Sequence, residues 1–302
     1  MIIYLKNHEI DRDLWDSCIK AANPHKPYAF SWYLDIMSPG WEALIDDDYD
    51  SVFPVPARQR FGIKYVATPV FLQQLGAFSP DKSAVSSTVE FLDYMPEFYR
   101  LVDLCIGQEI YYDGYSVTRR SNFQLDLSKP YDALFSAFDN SCKKNIEKSA
   151  KRVSYEESKI DPGELIDLFI IMKQDLAKKI KQRDFSRLRE LMEYCQRTGK
   201  GFLKGYRGRG GKLLFGQFYI QLPGYINLLF GVNTEESREK RINYYFVNEI
   251  IRQNAGKNIM LDFAGSSIPP VATFMQSFGS SDHPYFRIYR NKLIWPLGVI
   301  KK

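Results

Sequence analysis

The 302-residue sequence has little histidine and little cysteine, and both shortages narrow its chemistry. The three histidines, His8, His25 and His283, stand far apart, so neither metal-ligand spacing nor a histidine-based triad can be read from them. The four cysteines, Cys18, Cys105, Cys142 and Cys195, include no Cys-x-x-Cys pair, which points to reduced packing thiols rather than a disulfide frame. No uninterrupted apolar run approaches the ~18 residues that a membrane crossing requires. Asp11, Asp13 and Asp16 stand where a signal peptide would carry its apolar core, so the expectation is a cytoplasmic protein without a transmembrane segment. Charge of one sign is missing too. The 41 basic and 36 acidic residues leave a net +5, which permits an anionic substrate without marking a nucleic-acid binder.

Aromatic residues are what is abundant: 20 Tyr and 21 Phe, which half-buried strands accommodate more simply than a nucleotide-stacking platform does. With 45% hydrophobic and 25% charged residues the composition is that of a folded globular chain. At about 150 residues per domain, the length suggests two domains.

The pattern along the chain repeats. Leu14, Cys18 and Ile19 recur at helical spacing, followed by strand-like Trp41–Asp46, Ser51–Tyr65 and Val70–Phe78, a helix near Ala84–Tyr94, and strands Arg100–Ile106 and Tyr115–Leu127. In the second half, Tyr131, Leu134, Phe135, Phe138, Cys142 and Ile146 form one helical stripe, and helices opening at Pro162 and spanning Phe185–Arg197 follow. Strands Gly201–Tyr206, Lys212–Gln221 and Tyr225–Val232 precede a helix Glu236–Ala255, strand Asn258–Phe263, helix Pro270–Phe278 and strand Tyr285–Tyr289. Strands, helix, strand recur in both halves, which predicts two similar α+β domains; one large mixed sheet is the alternative.

The strongest local motif is Asn140-Ser-Cys-Lys-Lys-Asn-Ile-Glu-Lys-Ser-Ala-Lys-Arg-Val153. On a helix, Lys144, Lys148, Lys151 and Arg152 make one basic face opposite Cys142 and Ile146. A phosphate beside it would gain charge-assisted hydrogen bonds. The same pattern also suits a plain solvated face.

This segment resembles the signature helix of the FemABX family, peptidyltransferases with two GNAT-like domains: Lys143-Lys144-Asn145-Ile146, Lys148, Ala150 and Lys151-Arg152-Val153 match it in order. Tyr28-Ala-Phe-Ser-Trp-Tyr33 is similar to the family's early aromatic helix, Ala67–Gly76 to its substrate-facing strand end, and Ile259–Ser266 to its penultimate strand and turn. The resemblance implies an α+β fold of two GNAT-like domains in tandem, 1–128 and 129–302, each a mixed, mostly antiparallel sheet flanked by helices. It implies transfer of an aminoacyl group from aminoacyl-tRNA to an amine of a nucleotide- or lipid-linked peptidoglycan-precursor peptide, with no cofactor and no metal. Some members carry a long coiled-coil arm for tRNA contact. Here Lys173–Arg183 is only a short basic link, so tRNA contact would fall to the body.

Ordinary GNAT enzymes bind acetyl-CoA through a glycine-rich turn at a helix N-terminus. Arg207-Gly-Arg-Gly-Gly211 lies between strands and reads as a hairpin turn, while Gly231-Val-Asn-Thr-Glu-Glu236 lacks the glycines and places carboxylates in the first turn. There Asn233 and Glu236 read as a capping pair. Gln73-Gln-Leu-Gly76-Ala-Phe78 approaches the loop but ends in a bulky ring. Acetyl-CoA is disfavoured.

The candidate site residues follow. Lys143, Lys144 and Lys148 are expected to meet phosphate, with Asn145 beside them. Trp32 and Tyr33 would wall a cleft, or else pack in the core. Gln73 and Gln74 would grip a peptide, where the family more often has a basic residue. Asp81 and Asp262 are the candidate bases; Asp262 equally suits a role in fixing the Gly265–Ser267 turn. Three functions stand in competition: an aminoacyltransferase, an acetyl-CoA-dependent N-acyltransferase on a small amine, and a non-catalytic binding protein of the same fold.

Overall fold

Asp11 opens the first helix by accepting hydrogen bonds from the Asp13 and Leu14 amides at 3.0 and 3.1 Å, donors that a helix start leaves free. The computed structural model describes residues 1–22, 26–46, 48–80, 84–152, 159–265 and 268–293. Within it the chain divides into two compact units, Met1–Arg120 with Pro284–Lys302, and Ser121–His283.

The first unit begins with strand β1 (Ile2–Leu5) and helix α1 (Arg12–Ala21). The helix buries Trp15, Cys18 and Ile19; Leu14, expected on that stripe, stays 49% exposed while the Trp15 indole donates to the Ala29 carbonyl at 2.8 Å. Helix α2 (Ser31–Met37) starts where Asp16 of α1 accepts from the Ser31 amide and hydroxyl at 2.7 and 2.8 Å. Strands β2 (Glu42–Asp46) and β3 (Val52–Val55) complete an antiparallel sheet of order β1-β2-β3. There follow β4 (Ala57–Arg60), β5 (Ile63–Ala67), α3 (Ala84–Asp93), β6 (Leu101–Ile106) and β7 (Ser116–Arg120). Val70–Phe78 is not the strand its composition suggests. Phe71 and Gly76 take positive φ, which breaks the extended run and leaves only the bridges Val52↔Phe78 and Leu75↔Ile106.

The expected single strand Tyr115–Leu127 is also two. The Ser121 hydroxyl and Asn122 amide donate to the Asp282 carboxylate at 3.1 and 3.0 Å, and beyond that polar kink β8 (Phe123–Asp126) belongs to the second unit. That unit continues through α4 (Tyr131–Ser136), α5 (Asn140–Arg152), α6 (Pro162–Met172), α7 (Gln174–Ala177), α8 (Gln182–Thr198), β9 (Gly201–Arg207), β10 (Leu213–Leu222) and β11 (Tyr225–Asn233). It closes with α9 (Glu235–Glu239), α10 (Ile242–Asn254), β12 (Met260–Asp262), α11 (Pro269–Gln276) and β13 (Ser281–Asp282). The stripe read as one helix from Tyr131 to Ile146 is broken after Ser136, yet Leu134, Phe138, Cys142 and Ile146 still share one buried cluster. The expected helix Glu236–Ala255 breaks at Arg241, whose left-handed backbone (φ 59°) separates α9 from α10.

The six strands are ordered β13-β8-β12-β11-β10-β9, antiparallel except for β11 beside β12. Helices α5, α10 and α11 supply the cluster of Cys142, Ile146, Val247, Ile250 and Met275 with the strand residues Leu125, Tyr219, Ile226 and Leu261. Helix α6 and the chain just before it approach through missing side chains: a Cβ on Gly216 would lie 2.5 Å from Leu165 of α6, and one on Gly205 2.5 Å from Ile160.

Strand β14 (Tyr285–Asn291) then returns to the first unit, antiparallel to both β6 and β7, in a sheet of order β4-β5-β6-β14-β7. The structure thus draws its units at Arg120 and Pro284, where the sequence suggested 1–128 and 129–302, because ladder pairing rather than chain order assigns β8 and β14. Among the described strands, β5 pairs in parallel with β6 and β11 with β12, and the chain between the partners includes helix, as a parallel crossover demands. The α+β class and the repeated order expected from the sequence are present.

Three measurements check this packing. Gly216→Val should cost about 1–3 kcal/mol in denaturant unfolding, because the buried Leu165 and Ile160 side chains must both shift to admit a branched one. Burial pushes the Cys142 and Cys195 thiols up to about 12 and Cys18 to about 11, from an ordinary value of 9.0. All three should therefore resist alkylation at pH 8 until the protein unfolds. Folded values above the unfolded one mean that the folded state keeps these protons longer. Stability should fall as pH rises from about 9 towards 12, read as a declining unfolding midpoint.

Candidate functional site

Strands β11 and β12 pair in parallel only over Tyr225↔Met260, Ile226↔Leu261 and Asn227↔Asp262. There β12 ends, while β11 continues beside β10 to Asn233, with a bulge where Phe218 faces Phe230 and Tyr219 faces Leu228. The fork lies at the carboxyl ends of two parallel strands, the place where open sheets containing such pairs bind ligands. A bulge there turns backbone groups of β11 out of the regular ladder.

Asp262 sits at the fork and is fully buried. Its Oδ2 accepts from Asn122 Nδ2 at 3.1 Å, from Gln124 Nε2 at 2.7 Å and from the Tyr225 hydroxyl, and its Oδ1 accepts the Ala264 amide at 2.7 Å. Four donors around a buried carboxylate replace the water that burial removes. They also tie β8, β11 and β12 together and hold Ala264 at φ 57°, directly before Gly265 at φ 60°. The contact to Ala264 supports the turn-fixing role foreseen as one alternative for Asp262. Sequence reasoning missed its partners Asn122, Gln124 and Tyr225, together with the adjacent Asn227. Their signal was an asparagine inside the apolar run Tyr225–Phe230, where strands disfavour it.

Helix α5 carries the basic motif. Cys142, Ile146 and Ser149 are buried, while Lys144, Lys148 and Lys151 are exposed, so the opposed faces read from the sequence are present. Lys143 departs from them. Its ammonium donates to the Ser136 carbonyl at 2.8 Å and lies 5.8 Å from the Phe135 ring, which ties it to the end of α4. Asn145 is half-buried and lies near the Tyr244 hydroxyl of α10. Of the proposed phosphate contacts, Lys144 and Lys148 present their charge outward. Val153, the last residue of the motif, lies outside the described residues.

Trp32, Tyr33, Gln73 and Gln74 belong to the first unit. Tyr33 is fully buried, edge-on to Tyr28 at 5.5 Å, with its hydroxyl donating to the Phe71 carbonyl. It is a core side chain that anchors the irregular 70–78 segment. Trp32 is half-buried and stacks on Phe30 at 6.2 Å. Gln73 and Gln74 are buried; Gln74 Nε2 donates to Gln73 Oε1 at 2.8 Å, and a Cβ on Gly107 would lie 2.8 Å from Gln74 Oε1. The fork between β5 and β6 is filled by this segment. The Cys105 amide donates to Thr68 Oγ1 at 2.7 Å, the Leu75 amide to the Cys105 carbonyl at 2.8 Å, and the Gly107 amide to the Leu75 carbonyl at 3.0 Å. Asp81 lies outside the described residues, as do Ser266 and Ser267 of the turn after Asp262.

The two glycine-loop alternatives resolve by pairing. Arg207↔Leu213 closes an antiparallel hairpin, with Gly210 and Gly211 at φ 80° and 79°, and Arg207 makes a bidentate ion pair with Glu164 at 3.1 and 2.7 Å. That pair holds the Glu164 carboxyl below its usual range. At the start of α9 the cap is Thr234, whose hydroxyl accepts the Ser237 amide at 3.2 Å, rather than Asn233. Glu236 pairs with Lys240 at 2.6 Å instead of reaching back to the cap. Among the described residues no cluster of three or more His, Cys, Asp or Glu is arranged to hold a metal, and no helix is long and apolar enough to cross a membrane.

No protein-family model matches the sequence, and no curated protein matches it. Solved structures do match. The crystal structure of FemX aligns with a TM-score of 0.63 at 13% identity, covering 98% of this chain and 99% of that one. A conserved protein of unknown function from Bacteroides thetaiotaomicron aligns with a TM-score of 0.54 at 12% identity, covering 96% and 100%. At such identities the likeness is one of architecture: the chain has a FemX-like fold of class α+β.

Proposed function

We propose that the protein is an acyltransferase that moves an aminoacyl group from aminoacyl-tRNA to an amine of a peptidoglycan-precursor-like peptide, carried on a nucleotide or a lipid. One observation carries the reading: a FemX-like fold over 98% of the chain. The outward face of Lys144, Lys148 and Lys151 on α5 supports it, since phosphates laid along that face gain charge-assisted contacts without a buried cation to desolvate.

The chemistry asks little of the protein. The amine nitrogen attacks the ester carbonyl, the new C–N bond forms, the C–O bond to the ribose breaks, and the proton lost by the amine ends on the departing hydroxyl. The ester is activated already, so holding amine and carbonyl in register is the main contribution, worth ~7–11 kcal/mol in favourable cases. In this reading Asp262 is a positioning residue that fixes the fork and the Ala264 turn. An acetyl-CoA-dependent reaction has less support. Thr234 already caps α9, and Glu235 and Glu236 in its first turn repel a pyrophosphate.

Two experiments test the reading. Incubation with charged tRNA and a panel of nucleotide- and lipid-linked peptide amines should give an aminoacylated acceptor by mass spectrometry. Lys144→Glu with Lys148→Glu should lower kcat/KM for the tRNA donor about tenfold or more at low salt, with a smaller loss at high salt. Absence of transfer across the panel, with donor affinity unchanged by the reversal, would leave the non-catalytic alternative. The second experiment concerns Asp262→Asn, which turns an amide donor towards groups that already donate. It should cost about 1–3 kcal/mol of stability by denaturant unfolding. Normal stability together with a lost rate and a lost pH dependence would instead make Asp262 the base.

A further inference from the structure

The hairpin joining β4 to β5 turns over two residues, Phe61 and Gly62, between the paired Arg60 and Ile63. Both have positive φ, 50° and 74°, the backbone of a type I′ turn, where Asn-Gly is favoured and a bulky first residue is strained. Phe61 is also 84% exposed, and its ring meets the Arg60 guanidinium 5.0 Å from the ring centroid. The side chain therefore costs backbone energy and leaves its apolar surface in water, so its presence is not explained by the fold of the hairpin.

Beside the tip lies a cavity of about 780 Å³, whose walls include Ile63, Lys64, Phe98, Arg100 and Leu293. The Lys64 ammonium stands 4.9 Å from the centroid of the half-exposed Phe98 ring, and Arg100 is exposed. Lys64 and Arg100 line a hollow of mixed polar and apolar walls, with Glu97 as the acid in the lining, and Arg60 stands beside the exposed Phe61 ring. Aromatic tips flanked by cations suit the boundary between lipid headgroups and acyl chains.

We propose that this hairpin docks the protein on an anionic membrane surface, with Phe61 entering the acyl boundary and lipid phosphates lying over Lys64 and Arg100 at the mouth of the cavity. The aliphatic lining from Ile63 and Leu293 fits acyl or glycerol groups. A single-strand nucleic-acid site would instead present several stacking rings along a basic groove. A two-residue tip is too small for a stable protein interface. The inference goes beyond the transfer reaction and does not depend on it.

Co-sedimentation of the full chain with phosphatidylglycerol–phosphatidylcholine vesicles, about one-third anionic, tests it. Binding should exceed that to phosphatidylcholine alone by about tenfold or more, and should weaken with salt. Phe61→Asn installs the residue that the turn favours, so it should keep or raise Tm while lowering vesicle binding about tenfold or more. Arg60→Glu with Arg100→Glu should remove the preference for anionic vesicles. The proposal is overturned if wild type shows no anionic preference, or if Phe61→Asn binds vesicles like wild type. It is equally overturned if Phe61 governs binding of a single-stranded oligonucleotide and not of vesicles.

Discussion

The second unit depends on one buried carboxylate. Asp262 lies in a position that water does not reach, and it is tolerable there because Asn122, Gln124, Tyr225 and the Ala264 amide all donate to it. These donors come from β8, from β11 and from the chain just past β12, so satisfying the charge and assembling the centre of the sheet are the same event. A buried carboxyl group is sensitive to each donor that meets it, since every lost donor leaves a polar atom unsatisfied in a medium of low polarity. The root of the β11–β12 fork is thus fixed by polar contacts as well as by packing.

The two units treat the same motif differently. In the first, Thr68 and Leu75 continue along β6 by backbone hydrogen bonds, and the Gln73–Gln74 pair is buried beside Gly107. In the second, β11 runs on past the end of β12 with a bulge in its ladder to β10. The duplicated plan therefore closes the first fork with chain that hydrogen-bonds β6, whereas the second ends in a bulge and the buried Asp262 cluster. That asymmetry is why the candidate site is placed in the second unit.

Much of this was legible in the sequence, and the failures have physical causes. The opposed faces of α5 were read correctly because 3.6-residue periodicity fixes which side chains face the core. The role of Lys143 was not, because its partner is a backbone carbonyl of the preceding helix, and no periodicity reports that. The break at Arg241 was invisible, since a left-handed arginine carries no glycine signal. Tyr33 stayed open between cleft wall and core, because nothing local distinguishes an exposed aromatic from one fully buried against Tyr28. Strand partners were the hardest to foresee. That β14 pairs with β6 and β7 is a fact of long-range register, and the short-range pattern Tyr285–Tyr289 gives only the strand.

The return of β14 also has a bearing on how the protein comes into being. The strand lies inside its sheet, between β6 and β7, yet its residues are translated after the whole of the second unit. On the ribosome the later-made unit can acquire its native ladder first, while β6 and β7 wait with an empty place between them. Vectorial synthesis, which ordinarily lets the leading domain settle before its successor, is inverted here: the first unit is completed after the second.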